Sequence, residues 1–185
     1  MKRILFCGVG ALGSTAATLC RNLPATLAFA DFDRVESKNL LAQAFTRQAV
    51  GKNKAEALRL QLRTFFGVDA QAYPVRLAAD NIATVAAGAD LIVDCLDNIA
   101  GRRVVIEHAE RTGTPSVHAG LAGDASIGLI RWRERFTPDE EDTPGQATCE
   151  GGEHLPFIAL VATHLAVIVD DWLRTGDPRD ALVTR

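Results

Sequence analysis

The sequence predicts an α/β fold: a Rossmann-like, mostly parallel sheet with helices on both faces, in a single domain spanning residues 1–185. Three observations predict it. Short β-rich runs alternate with amphipathic helical stretches from the first residues. A glycine-rich turn, "GVGALG", joins the first strand to the first helix. "DLIVDC" is a continuous apolar run of the kind found in a central parallel strand covered on both faces.

The elements follow in order. "RILFCG" is a strand, and "ALGSTAATLCRNL" carries small and apolar residues at helical spacing. "ATLAFAD" is a second strand ending in Asp31. "NKAEALRLQLRTFF" places Leu58, Leu62, Phe65 and Phe66 on one face of a helix. "AQAYPVRL" is a third strand, and Pro74 restricts it to an edge or a strand end. A short helix over residues 82–87 precedes "DLIVDC". "AGRRVVIEHAERTG" is a helix closed by Gly113 as C-cap. "PSVHAGLAG" and "ASIGLIRWR" read as two strands joined by a turn at Gly123 and Asp124. Residues 134–152 form one long polar segment, and a final helix over about residues 156–174 ends at Gly176 and Pro178.

Composition sets bounds on function. Apolar residues make up 48% and charged residues 23%, with a net charge of −3, which gives no reason to expect a nucleic-acid partner. Arg102, Arg103, Arg131, Arg133 and Arg135 read as a solvated face. The cysteines are Cys7, Cys20, Cys95 and Cys149, with no C-x-x-C and no secretory leader, so a reducing, cytoplasmic setting is expected. Cys7 and Cys95 read as inert packing residues in core strands. "LPFIALVATHLAVIV" falls short of the roughly twenty residues of a membrane span. It reads as a buried helix with His164 as a core histidine, and no membrane partner is expected.

The residues that carry chemistry cluster at turns. Gly8, Gly10 and Gly13 fit G-x-G-x-x-G after a strand and opening a helix, where backbone N–H groups meet a phosphate. That motif alone does not separate NAD, FAD and ATP. Asp31 ends the second strand, where a carboxylate accepts from ribose hydroxyls. Asp33, Val35, Asn39 and Leu40 extend the pattern to D-x-D-x-V-x-x-x-N-L, followed by Gln43. Lys54 opens a helix, a poor place for a cation on dipole grounds and a good one for a phosphate contact. "DCLDN" places Asp97 and Asn98 at the carboxyl end of the fourth strand, where open α/β sheets bind ligands. His118 stands at another carboxyl end, and Cys149 lies in the polar segment.

Taken in order, "GVGALG", "DFDRVESKNL", "GKNK", "DCLDN" and a cysteine-bearing loop before the last helix resemble the ThiF/MoeB/HesA adenylyltransferases, bacterial relatives of the ubiquitin-activating enzymes. The resemblance implies use of MgATP to adenylate the C-terminal glycine of a ubiquitin-like or sulfur-carrier protein ending in Gly-Gly, by a homodimer or a heterodimer. It implies that Gly8, Gly10, Ala11, Leu12 and Gly13 approach the nucleotide and that Asp31 holds the ribose. It further implies that Asp33 and Asn39 shape the phosphate end, that Gln43 belongs to the nucleotide-binding set, that Lys54 contacts the phosphates, that Asp97 positions Mg²⁺, and that Asn98 lies beside the nucleotide.

The chain departs from that family at three places. Ala42 stands where N-L-x-R-Q calls for arginine, and the first strand begins at the start of the sequence, where many relatives have a further helix with an arginine. Arg47, Lys52, Arg102 or an arginine of a partner chain are the candidate replacements; Asp97, Lys54, Arg47 and Cys149 are thus the candidate catalytic residues. Cys149 is the sole cysteine after Cys95, so no four-thiolate zinc site is expected. Cys149 itself reads either as a thiol that bonds covalently to the carrier or as incidental. Two other functions fit parts of the pattern: a nucleotide-binding partner subunit without catalysis, and an NAD(P)-dependent oxidoreductase.

Overall fold

The computed structural model describes residues 1–137 and 152–185. Among these, seven strands form one sheet in the order β3-β2-β1-β4-β5-β6-β7. They are β1 (Lys2–Cys7), β2 (Ala25–Ala30), β3 (Ala70–Tyr73), β4 (Leu91–Asp94), β5 (Ser116–Leu121), β6 (Ile127–Trp132) and β7 (Ala181–Thr184). The first five pair in parallel, and β6 and β7 add antiparallel to the β5 edge. Five α-helices accompany them among the described residues: α1 (Ala11–Leu19), α2 (Lys54–Phe66), α3 (Ile82–Val85), α4 (Ile99–Thr112) and α5 (Leu155–Thr175).

Burial explains the central strands. Ile4, Leu5, Phe6 and Cys7 of β1 and Leu91, Ile92 and Val93 of β4 have no exposed surface, so side chains pointing either way meet a covering layer. One cluster joins Ile4, Phe6, Leu27, Phe29 and Val93 to Leu58, Leu62, Val161 and Leu165; the other joins Leu5, Cys7, Ala28 and Ile92 to Ile82, Val85 and Val105. The sheet is therefore covered on one face by α1, α2 and α5 and on the other by α3 and α4. Asparagines cap the two helices whose first turns border the strands' carboxyl ends: Asn53 accepts from the Glu56 amide and Asn98 from the Gly101 amide. Left-handed glycines, Gly67, Gly113 and Gly176, close α2, α4 and α5.

Several expectations shift. The short third helix ends at Val85 rather than residue 87, and the last helix runs a full 21 residues. By length and composition α5 matches a membrane-crossing helix, yet its Phe157, Ile158, Val161, Leu165, Val169 and Trp172 stripe is buried in the core. His164 lies on the opposite, exposed side of that helix and is not a core histidine. Cys95 lies one residue past β4, in a loop. Arg102 does not share the solvated face of its neighbours; its side chain is 14% exposed and pairs with buried Asp94. Pro74 sits directly after β3, at the sheet edge, as its missing N–H requires. The final strand β7 was not expected from the sequence.

Candidate active site

Strand order reverses direction between β1 and β4, adjacent strands whose outgoing helices, α1 and α4, lie on opposite faces of the sheet. A cleft of about 280 Å³ opens there. Its walls come from the ends of four strands: Gly8 and Gly10 after β1, Asp31 to Asp33 after β2, residues 75–79 after β3, and Cys95 to Asn98 after β4. Lys54 from α2 and Ala100, Gly101 and Val104 from α4 complete it.

The glycine turn is built for close approach. Gly8 has φ +80°, and a Cβ on Gly13 would lie 2.0 Å from the Gly8 carbonyl oxygen, so α1 packs on the turn only with glycine there. Gly10 differs: a Cβ there would meet nothing within 4 Å. Among the described residues no neighbour demands glycine at that place, and the open space beside the backbone is free for a ligand. Helix α1 begins with no side-chain cap among the described residues, leaving first-turn N–H groups for an anion. Ala11, Leu12 and Gly13 themselves are buried in that first turn and do not line the cleft.

Asp31 is held rigidly. Its two carboxylate oxygens accept from the Val9 amide at 2.8 Å and the Asp33 amide at 2.9 Å, leaving further lone pairs for a ribose. Burial pushes this carboxyl up, while the Lys54 ammonium and the two amides pull against it. The loop beyond is stapled to α2: Asn53 Nδ2 donates to the carbonyls of Asp31 and Asp33, and the Lys54 amide donates to the Asp33 carbonyl. That staple fixes the base of Lys54. Its Nζ stands 3.1 Å from Asp33 Oδ2, with the lysine stem buried and the aspartate half-exposed.

On the far side, Asp97 is exposed and Asn98 half-buried, and both line the cleft. A lone carboxylate suits Mg²⁺, which keeps waters and substrate oxygens as its other ligands. Among the described residues no group of three or more acidic, histidine or cysteine side chains is disposed around a metal.

Other expected residues fall elsewhere. Asn39 is buried and caps its own turn, its Oδ1 accepting from the Glu36 amide. Gln43 lies behind that turn, with a buried Oε1 that has no hydrogen-bond partner among the described residues. Arg47 is exposed on a short turn away from the cleft, and Lys52 borders a separate shallow depression with Arg34 and Arg59. Ala42 is packed into the core, 1% exposed. Cys149 lies outside the described residues.

The expectations from sequence did not include the cleft's second cation. Arg76, after β3, lines it with Phe32, and the guanidinium carbon sits 3.6 Å from the Phe32 ring centroid. With Val75, Leu77, Leu96 and Val104 they form a largely apolar niche with one delocalised cation at its rim, which suits the flat face of a nucleobase. The signal for it was positional: Arg76 follows a strand's carboxyl end, where ligands of such sheets bind. For the ATP that the sequence resemblance implies, Arg76→Ala is expected to weaken binding by about 1–2 kcal/mol, roughly five- to thirtyfold, measured by calorimetric titration.

The ThiF family model matches residues 1–143. The chain belongs to the ThiF family. It is 30% identical over 176 residues to the adenylyltransferase and sulfurtransferase UBA4 of Candida glabrata, covering 89% of this chain and 41% of that protein. It is 33% identical over 177 residues to the sulfur carrier protein ThiS adenylyltransferase of Bacillus subtilis, covering 86% of this chain and 51% of the relative. The chain thus spans about half, or less, of these relatives. Among solved structures it is similar to E. coli MccB with ATP, with a TM-score of 0.78, 16% identity and coverage of 100% and 61% of the two chains. It is also similar to E. coli tRNA N6-threonylcarbamoyladenosine dehydratase, TcdA, in complex with AMP, with a TM-score of 0.68, 18% identity and coverage of 94% and 87%. These likenesses confirm the mostly parallel, Rossmann-type α/β fold, and the relatives at higher identity are adenylyltransferases.

Proposed function

We propose that this ThiF-family chain binds MgATP in the β1/β4 cleft and adenylates the C-terminal glycine of a small ubiquitin-like or sulfur-carrier protein. The observation that carries the reading is the convergence of Gly10, Asp31, Lys54 and Asp97 on one cleft from four separate segments. The carrier's carboxylate attacks the α-phosphorus, a P–O bond forms, and pyrophosphate leaves. Both reactants are anions, so the chain's contribution is to hold them in line and offset their charge. Asp31 fixes the ribose, the amides at Gly10 bring the backbone close to the phosphates, and Lys54 supplies a nearly buried positive charge. Asp97 would hold Mg²⁺, which supplies further neutralisation when bound. Arg76 holds the base, which leaves the cation missing at Ala42 to be supplied by a partner protomer in a homodimer or heterodimer. The proposed setting is cytoplasmic.

The test is ATP–pyrophosphate exchange with carrier proteins ending in Gly-Gly. Exchange is expected, with loss in Asp97→Ala and retention in Cys149→Ser, since a thiol that bonds to the carrier acts after adenylation. ATP binding without exchange against any such carrier would favour a partner subunit without catalysis. Binding of NADH in place of ATP would overturn the proposal.

A further inference from the structure

Behind the cleft lies a polar cluster that the nucleotide reading does not use. Asp94, the last residue of β4, has no exposed surface, and Ser116 and His118 on β5 are each 1% exposed. The Nδ1–H of His118 donates to Asp94 Oδ2 at 2.7 Å, and the Arg102 guanidinium reaches the same oxygen at 3.4 Å. With Nδ1 protonated, the neutral tautomer leaves Nε2 to accept from the Ser116 hydroxyl, 3.2 Å away. The Phe136 ring lies flat on the imidazole, with centroids 4.3 Å apart and planes 4° from parallel. A serine, histidine and aspartate sealed in this way have no access for a substrate, so the cluster is not a nucleophile.

Its other bonds show what it holds. The second oxygen of Asp94 accepts from the Leu96 amide at 2.9 Å, fixing the turn that leaves β4 one residue before Asp97. Arg102, in the opening turn of α4, donates to the Ala119 carbonyl at 2.9 Å and so ties that helix to β5. Asn98 caps the same helix. The loop of residues 95–98 is therefore gripped at both ends by groups that meet on Asp94, and Asp97 is its exposed member.

We propose that Asp94, His118 and Arg102 are positioning residues that set the pose of Asp97 in the cleft, with Phe136 as the seal that keeps water from the His118–Asp94 bond. Without the imidazole donor, Asp94 is held from behind by the longer Arg102 contact alone. Its carboxylate then turns and releases the Leu96 amide. These contacts act on the loop beside the Cys95 amide's bond to the Cys7 carbonyl and the Asn98 cap, whether or not a nucleotide is bound; their effect on ATP rests on the nucleotide reading above.

Hydrogen exchange on the whole ligand-free chain tests the effect on the loop. Asparagine at 118 places an amide N–H where Nδ1–H lies, whereas glutamine sets its donor one atom further out. His118→Gln is expected to speed exchange in the segment carrying Leu96 roughly five- to tenfold. His118→Asn is expected to return it to near the wild-type rate, with β1 and β2 unchanged in both. Where His118→Gln does not fold, Arg102→Met carries the same measurement. Unchanged exchange at residues 95–98 in a folded variant overturns the proposal. Mg²⁺-dependent ATP binding by titration is the second readout: wild type and His118→Asn should bind alike, and His118→Gln several-fold more weakly. No ATP binding by the wild type would remove the nucleotide reading, and the exchange rates at residues 95–98 would then decide the positioning role by themselves.

Discussion

Asp94→Ala is expected to destabilise the folded chain by about 3–5 kcal/mol, the range for breaking one side of a buried ion pair. For a domain of this size that corresponds to a fall in melting temperature of roughly 6–20 °C. The residue lost is small, so the cavity contributes little. The cost comes from what remains: a His118 ring without surface and a Leu96 amide deprived of their acceptor, and an Arg102 guanidinium, 14% exposed, that keeps the Ala119 carbonyl but loses its counter-charge. Asp94→Asn should cost less. Its carbonyl still accepts from Leu96, and its amide can donate to Nδ1 once His118 carries its proton on Nε2 and donates to Ser116. Thermal melts of the two variants check the order, and equal losses would contradict the account.

Lys54→Met is expected to lower pyrophosphate exchange by about 10²–10³, by analogy with removal of a single donor to developing anionic charge. Methionine keeps the buried stem, so the packing of α2 against the Asp31–Asp33 loop survives. Asp33, half-exposed, loses its partner but regains water, and stability should change by less than about 1 kcal/mol. The expected pattern is therefore a large loss of rate with a nearly unchanged melting curve. Lys54→Arg should not restore the rate, because a planar fork does not fit a space shaped around a compact ammonium. A parallel loss of both properties would make Lys54 a structural residue.

How much of this was legible in the sequence depends on the range over which each feature is fixed. The turn at Gly8–Gly13 and the acid following β2 are local, and their spacing alone places them at the carboxyl edge of the sheet. The place of Lys54 beside the cleft was legible because a cation at a helix start conflicts with the dipole. Asn39 shows how one spacing serves two ends: its place after Asp31 suits a ligand contact, and it also caps its own turn. Arg76 was hidden because "AQAYPVRL" reads as one strand, whereas β3 stops at Tyr73 and frees the arginine to border the cleft. The Asp94–His118 bond was out of reach. It depends on the parallel register that sets Asp94 beside His118, partners 24 residues apart with a helix between them.

The same long range governs how the site comes into being. Gly10, Asp31, Lys54 and Asp97 belong to segments that meet only when β2 and β4 have both paired with β1. A chain that has formed its first crossover, β1-α1-β2, holds half a cleft; the rest waits for β4 to dock on the other edge of β1. Closing that larger loop costs more chain entropy, which must be given up before the new contacts form. A nucleotide that touched both halves would bind the completed sheet and not its precursors, and so would act as a clasp on the assembled cleft. Saturation at a hundred times the dissociation constant would add about 2.7 kcal/mol to the folded state.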